Sequence, residues 1–132
     1  MAARAEGTFT VASWEEDTYQ ELDGKAKLTK ANVTYRLSGE IEGDATWAAL
    51  MYYRDDGTAE YTGLQRLTGQ IADRAGTCVM VADGSFADGA ARSTWRVIPG
   101  SGTGALAGLR GTGTSVATSE PPGTFTFDYE LG

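Results

Sequence analysis

One amide on an apolar face is the most informative chemistry in this sequence. In Glu60–Ile71, Tyr61, Gly63, Gln65, Leu67 and Ile71 fall on one face, and Glu60, Thr62, Leu64, Arg66, Thr68 and Gln70 on the other. That period of two belongs to a strand buried on one side. A carboxamide there carries donors and an acceptor that cost free energy if left unpaired. Either a neighbouring strand satisfies Gln65 or a ligand does. Tyr35, Tyr53 and Tyr61 lie on comparable faces. Their phenols could donate a proton or a hydrogen bond, and their rings could stabilise developing positive charge.

Other chemistry is excluded or weak. The 132-residue chain has no histidine, which removes Ser-His-Asp and Cys-His arrangements and every His-ligated metal site. Its one cysteine, Cys78, sits in an apolar alternation and reads as a core thiol. Glu40, Glu42, Asp128 and Glu130 fall on polar faces, while Glu15, Glu16 and Asp17 read as a solvated acidic stretch at a strand end. No carboxylate pair is poised for glycoside chemistry, and no calcium-loop spacing occurs. Gly102-Thr103-Gly104-Ala105-Leu106-Ala107 imitates a dinucleotide fingerprint, but Gly108 and Gly111 deny it the helix that would meet a pyrophosphate. A loop on the rim of a sheet is the simpler reading. No cofactor is expected.

The net charge of −7 argues against a nucleic-acid partner. Lys25, Lys27 and Lys30 read as one solvated loop beside Glu21 and Asp23. No apolar run reaches membrane length and no apolar leader opens the chain, so a cytoplasmic protein without a membrane partner is expected.

The elements that must position these groups are strands. The 18 glycines, roughly twice the usual share of ~7%, are spread among Thr, Val, Tyr and Phe, as in a many-stranded sheet with tight turns. Gly7–Ser13 alternates; a long polar loop is expected from Glu15 to Leu28. Ala31–Gly43 forms the second strand, turning at Gly43-Asp44. Thr46–Arg54 is apolar on both faces, so its outer face is expected to meet a partner subunit, in a homodimer, or the long loop. Asp55-Asp56-Gly57 makes a hairpin turn into the Gln65 strand. Thr77–Phe86, Ala91–Ile98, Gly111–Thr118 and Thr124–Leu131 complete eight strands in one domain over residues 1–132. Eight sequential antiparallel strands close most economically into an all-β barrel, with a sandwich as the alternative. Its interior is either just filled by side chains or able to hold one small ligand.

Several runs resemble a known family: Gly7-Thr8-Phe9-Thr10-Val11, Leu37-Ser38-Gly39-Glu40-Ile41-Glu42-Gly43, Gly84-Ser85-Phe86-Ala87-Asp88-Gly89 and the stretch from Trp95 to Gly111. Together with the Gln65 strand they are similar to the bacterial domain of unknown function 3224 family. The resemblance implies a barrel like that of allene oxide cyclase, which closes a ring in a fatty-acid epoxide without a cofactor. It also implies a Glu where this chain has Gln65 and a His where it has Ala82, an acid–base pair that this chain would lack.

The expectation is a small-molecule barrel, acting either as a cofactor-independent cyclase or isomerase on an apolar or polyunsaturated metabolite, or as a non-catalytic carrier. A solid barrel used for interaction is the bland alternative. Tyr61 and Gln65 would orient the ligand, and Tyr35 or Tyr53 would donate the proton. Trp14, Met51, Met80 and Ser93, with Trp95, Phe127 and Tyr129, would form the walls.

Overall fold

The computed structural model describes residues 3–131. Eight strands run β1 (Ala3–Glu21), β2 (Lys27–Gly39), β3 (Ile41–Tyr53), β4 (Ala59–Ile71), β5 (Arg74–Ala87), β6 (Ala90–Val97), β7 (Leu109–Thr118) and β8 (Gly123–Leu131). Each pairs antiparallel with its neighbour in sequence, and β1 pairs with β8 to close a barrel. The only helical piece among the described residues is a single 3-10 turn, Gly104–Leu106.

Alternation sets the two faces. In β4, Tyr61, Gln65, Leu67 and Ile71 are buried while Leu64 and Arg66 are exposed. In β3 the pattern that sequence left open resolves: Trp47, Ala49 and Met51 point inward, and Leu50 and Tyr52 stand on the outer face. Glu40, Glu42, Asp128 and Glu130 are exposed, as their faces required. Closing eight strands also demands tight coiling, and glycine supplies it where β3 meets β4. Gly43 and Gly69 are register partners, and a Cβ on either would strike the other strand's backbone.

Three boundaries differ from the sequence reading. The expected loop from Glu15 to Leu28 is mostly strand: β1 continues to Glu21, β2 begins at Lys27, and only 22–26 turns, closed by Leu22 N–H donating to Ala26 O at 3.0 Å. Lys27 and Lys30 therefore lie on β2 and not in a loop. This ribbon has mostly solvated side chains, so it lacks the apolar alternation that marks a half-buried strand. The turn expected at Gly43-Asp44 falls instead at Gly39-Glu40, where Gly39 has φ +112°. Ile41 and Glu42 accordingly open β3.

The barrel has two unlike ends. The lower end holds the connections 39–40, 72–73 and 98–108; the upper end holds the turns 22–26, 54–58, 88–89 and 119–122. Below, Ile41, Ile71, Cys78, Met80, Leu106 and Phe127 are all 0% exposed and fill the lumen. The Gly-rich connection helps to close this end. β6 reaches only as far as Met80 along β5, and the connection continues in its place. Ile98 N–H donates to Val79 O at 2.9 Å and Thr103 N–H to Thr77 O at 2.8 Å. Leu106, presented by the 3-10 turn, is fully buried. Above, β1 pairs with β8 only as far as Phe9↔Gly123, so from Thr10 to Glu21 it has β2 on one side and no strand on the other.

Candidate functional site

A cavity of about 320 Å³ occupies the upper half of the lumen, within the size range of small-molecule sites. Trp47, Tyr61, Trp95 and Met51 form much of its wall, Leu37 and Ala45 lie toward the filled end, and Val11, Trp14 and Phe86 form the rim. Those three rim residues are 51%, 46% and 41% exposed, so the cavity opens through apolar side chains. No Lys, Arg, Asp or Glu lines it.

Gln65 is 4% exposed and points into this space from β4. Its Nε2 lies 3.9 Å from Met80 Sδ, a weak acceptor, and no other side-chain hydrogen bond reaches the amide among the described residues. No fully buried polar side-chain atom there lacks a partner. The amide oxygen accepts no hydrogen bond among the described residues and is not sealed by protein, and Gln65 lines this cavity. Neither the Ser115 nor the Tyr35 hydroxyl has a hydrogen-bond partner among the described residues, and both residues line the same space. The Tyr61 hydroxyl, by contrast, shares a 2.9 Å hydrogen bond with Ser93 Oγ. Trp47 Nε1–H donates to Ala82 O at 3.2 Å. Ala82 lies on the cavity wall between Gly63 of β4 and Trp95 of β6, so the two positions where the family resemblance implies Glu and His do face one space.

The mouth holds a carboxylate that simple alternation places in solvent. Glu16 Oε2 accepts hydrogen bonds from Thr29 Oγ1 at 2.5 Å and the Tyr53 hydroxyl at 2.6 Å, and Oε1 accepts from Trp14 Nε1–H at 2.9 Å. Trp14 and Tyr53 line the cavity. A β-bulge between Val11 and Ser13 brings Glu16 there. One extra residue reverses the alternation, so Trp14 and Glu16, not Ser13 and Glu15, turn toward the interior. The signal in the sequence was Trp14 itself, an aromatic out of phase with Phe9 and Val11.

Burial alone would raise the Glu16 pKa, but the three donors, with Lys27 nearby, outweigh it and hold the carboxylate below its ordinary value. Burial first, then the bond to Glu16 and its charge, push Tyr53 well above a normal phenol. Tyr35 is raised by burial and by the nearby Tyr61, and Tyr61 by burial, offset in part by Ser93. Near neutral pH the site thus offers protonated phenols and one ionised carboxylate. Cys78 is pushed up to about 11 by burial and lies outside the cavity lining.

Of the residues singled out by sequence, Tyr35, Tyr53, Tyr61, Gln65, Trp14, Met51, Ser93 and Trp95 come together around the cavity. Met80, Phe127 and Tyr129 do not line it. Met80 and Phe127 are fully buried, Met80 beside Gln65, and Tyr129 stacks on Phe127 with ring centroids 5.7 Å apart. All three lie on the inward face that alternation predicts, but alternation does not report height along the barrel. The Gly102–Ala107 run makes no phosphate cradle; its role is the lower closure described above. Among the described residues no cluster of three or more His, Cys, Asp or Glu could hold a metal. No helix there is long and apolar enough to cross a membrane.

A family model described as protein of unknown function (DUF3224) matches residues 5–129. The crystal structure of a protein with unknown function from that family, from Shewanella oneidensis MR-1, superimposes with a TM-score of 0.84 at 23% identity, covering 100% of this chain and 99% of the other. At that identity the likeness concerns the fold. No curated protein matches the chain.

Proposed function

We propose that this chain, which belongs to the DUF3224 family, binds an apolar small molecule in the upper half of its barrel and acts as a cytoplasmic binding or carrier protein. The observation that carries this reading is Gln65: a 96% buried amide whose one side-chain hydrogen-bond partner is a thioether, in the wall of a mostly apolar, uncharged cavity. Barrels use such isolated polar groups to orient ligands. In a purely structural interior the same position would be apolar, because an amide without partners lowers stability.

Native mass spectrometry of protein purified from its own host is expected to show a retained small-molecule mass. In Gln65→Leu the barrel stays folded and occupancy falls about tenfold, the equivalent of one lost hydrogen bond to a buried partner. Repeatedly empty wild-type spectra would end the reading.

A cofactor-independent cyclase or isomerase, similar in kind to allene oxide cyclase, is the second reading. The Tyr53–Glu16 hydrogen bond at the mouth favours it, since it places a phenol on a carboxylate beside the cavity. With its one O–H donated to an ionised Glu16, the raised Tyr53 phenol is a fixed part of the mouth more than a source of labile protons at neutral pH. Turnover under this reading rests on shape, on Gln65 and on the ring faces.

A further inference from the structure

The lining of the cavity specifies the charge of what it can hold. Not one lining residue is cationic, and the chain has no histidine that could become so. Its polar side-chain atoms are the Gln65 amide, the hydroxyls of Ser and Tyr and the indole N–H groups of Trp14, Trp47 and Trp95, all neutral near pH 7. Lys27, whose Nζ lies 5.3 Å from the Tyr53 ring centroid, does not line the cavity. The charge that does stand behind the mouth is Glu16, held ionised by three donors. An anionic ligand would leave water without a counter-ion and would approach past a carboxylate.

The free hydrogen-bonding capacity at Gln65 narrows the ligand further. With Met80 Sδ taking at most one Nε2–H, a second N–H and the carbonyl oxygen remain. A group that both accepts and donates, such as a second amide, satisfies both; a group that only accepts leaves the oxygen bare. Resting on the binding reading above, we infer that the cavity selects an uncharged apolar ligand bearing one donor–acceptor group of amide or lactam type, seated on Gln65, and excludes free carboxylic acids in their ionised form. This sets the site apart from one built for a fatty-acid anion, which needs a Lys or Arg to receive the head group.

Isothermal titration of the purified protein at pH 7.5 with decanamide, N,N-dimethyldecanamide and decanoate tests this, because the three share one chain and differ only at the head. Decanamide is expected to bind about tenfold more tightly than the dimethyl compound, which lacks the donor, and decanoate to bind most weakly. In Gln65→Leu the two amides become equal while decanoate stays weakest. Decanoate binding as tightly as decanamide overturns the charge selection and leaves the binding reading standing. Equal affinity of both amides for the wild type overturns the role of Gln65 alone. Failure of all three to bind overturns both readings together.

Discussion

The two ends of the barrel solve the same problem in opposite ways. At each end one strand runs past its partner and leaves a row of unpaired backbone groups. At the lower end the overhang belongs to β5, and the 98–108 connection follows it, bonding Thr77 and Val79 through backbone and through Ser101 and Thr103. Leu106 then enters the lumen and no cavity remains. At the upper end the overhang belongs to β1, and no segment covers it. There the edge is protected by two register shifts and by Glu15, Glu16, Asp17 and Glu21, the bulges and charges by which exposed edges resist pairing. One end of the fold is therefore a plug and the other a container, although eight antiparallel strands build both.

Removing the plug should have the largest effect. Leu106→Ala deletes a fully buried side chain from the filled end and is expected to lower stability by about 3 kcal/mol. Urea denaturation followed by circular dichroism reads this directly. A loss below about 1 kcal/mol would mean that the lower end is not the packed half.

A sharper test makes one substitution at both ends. Ala5 is 1% exposed and pairs with Phe127 in the filled half; Ala82 is 3% exposed and lines the cavity. Ala5→Leu should overpack and cost about 1–3 kcal/mol. Ala82→Leu should grow into free space, leaving stability unchanged or raising it by up to ~1 kcal/mol, while lowering ligand affinity. The opposite signs are the prediction, and denaturation midpoints measured in parallel decide it. Two equal losses would show that the upper lumen is as tightly packed as the lower.

The division was only partly legible in the sequence. Inward and outward faces of β2, β4, β5, β6 and β8 follow from period-two alternation, β3 is apolar on both faces and is oriented only by the structure, and Gln65 stands out because a polar group breaks an apolar face. Height along the barrel was not legible. Phe127 and Trp95 look alike in a pattern of alternation, yet one plugs and the other lines, because their levels depend on how far each strand slides past its neighbour. The 19-residue β1 against the nine-residue β8 creates the uncovered upper edge, and no local signal records that mismatch. Glu16 was hidden for a different reason. A bulge at Ala12 reverses the faces beyond it, so a carboxylate that counts as solvated by simple alternation becomes the acceptor for three side chains.

That reversal leads to the smallest expected effect, confined to the mouth. Glu16 has a depressed pKa in the folded protein, so its contribution to stability is complete above its ordinary value of 4.5 and is lost as pH falls through the lower, folded value. Protonation would weaken the acceptance of hydrogen bonds from Trp14, Thr29 and Tyr53 together. Trp14 is half-exposed and its indole is held by Glu16, whereas Trp47 donates to a backbone carbonyl and Trp95 is buried among rings. Tryptophan emission of the wild type should therefore show a step below pH 4.5 that is missing in Glu16→Gln. Stability at pH 7 should be slightly lower in the variant, while Leu106 and the filled end are unaffected. A step that persists unchanged in Glu16→Gln would assign it to other carboxylates and leave Trp14 free at the mouth. Loss of the step instead fixes Glu16 as the residue that positions the rim of the container, a role with no counterpart at the plug.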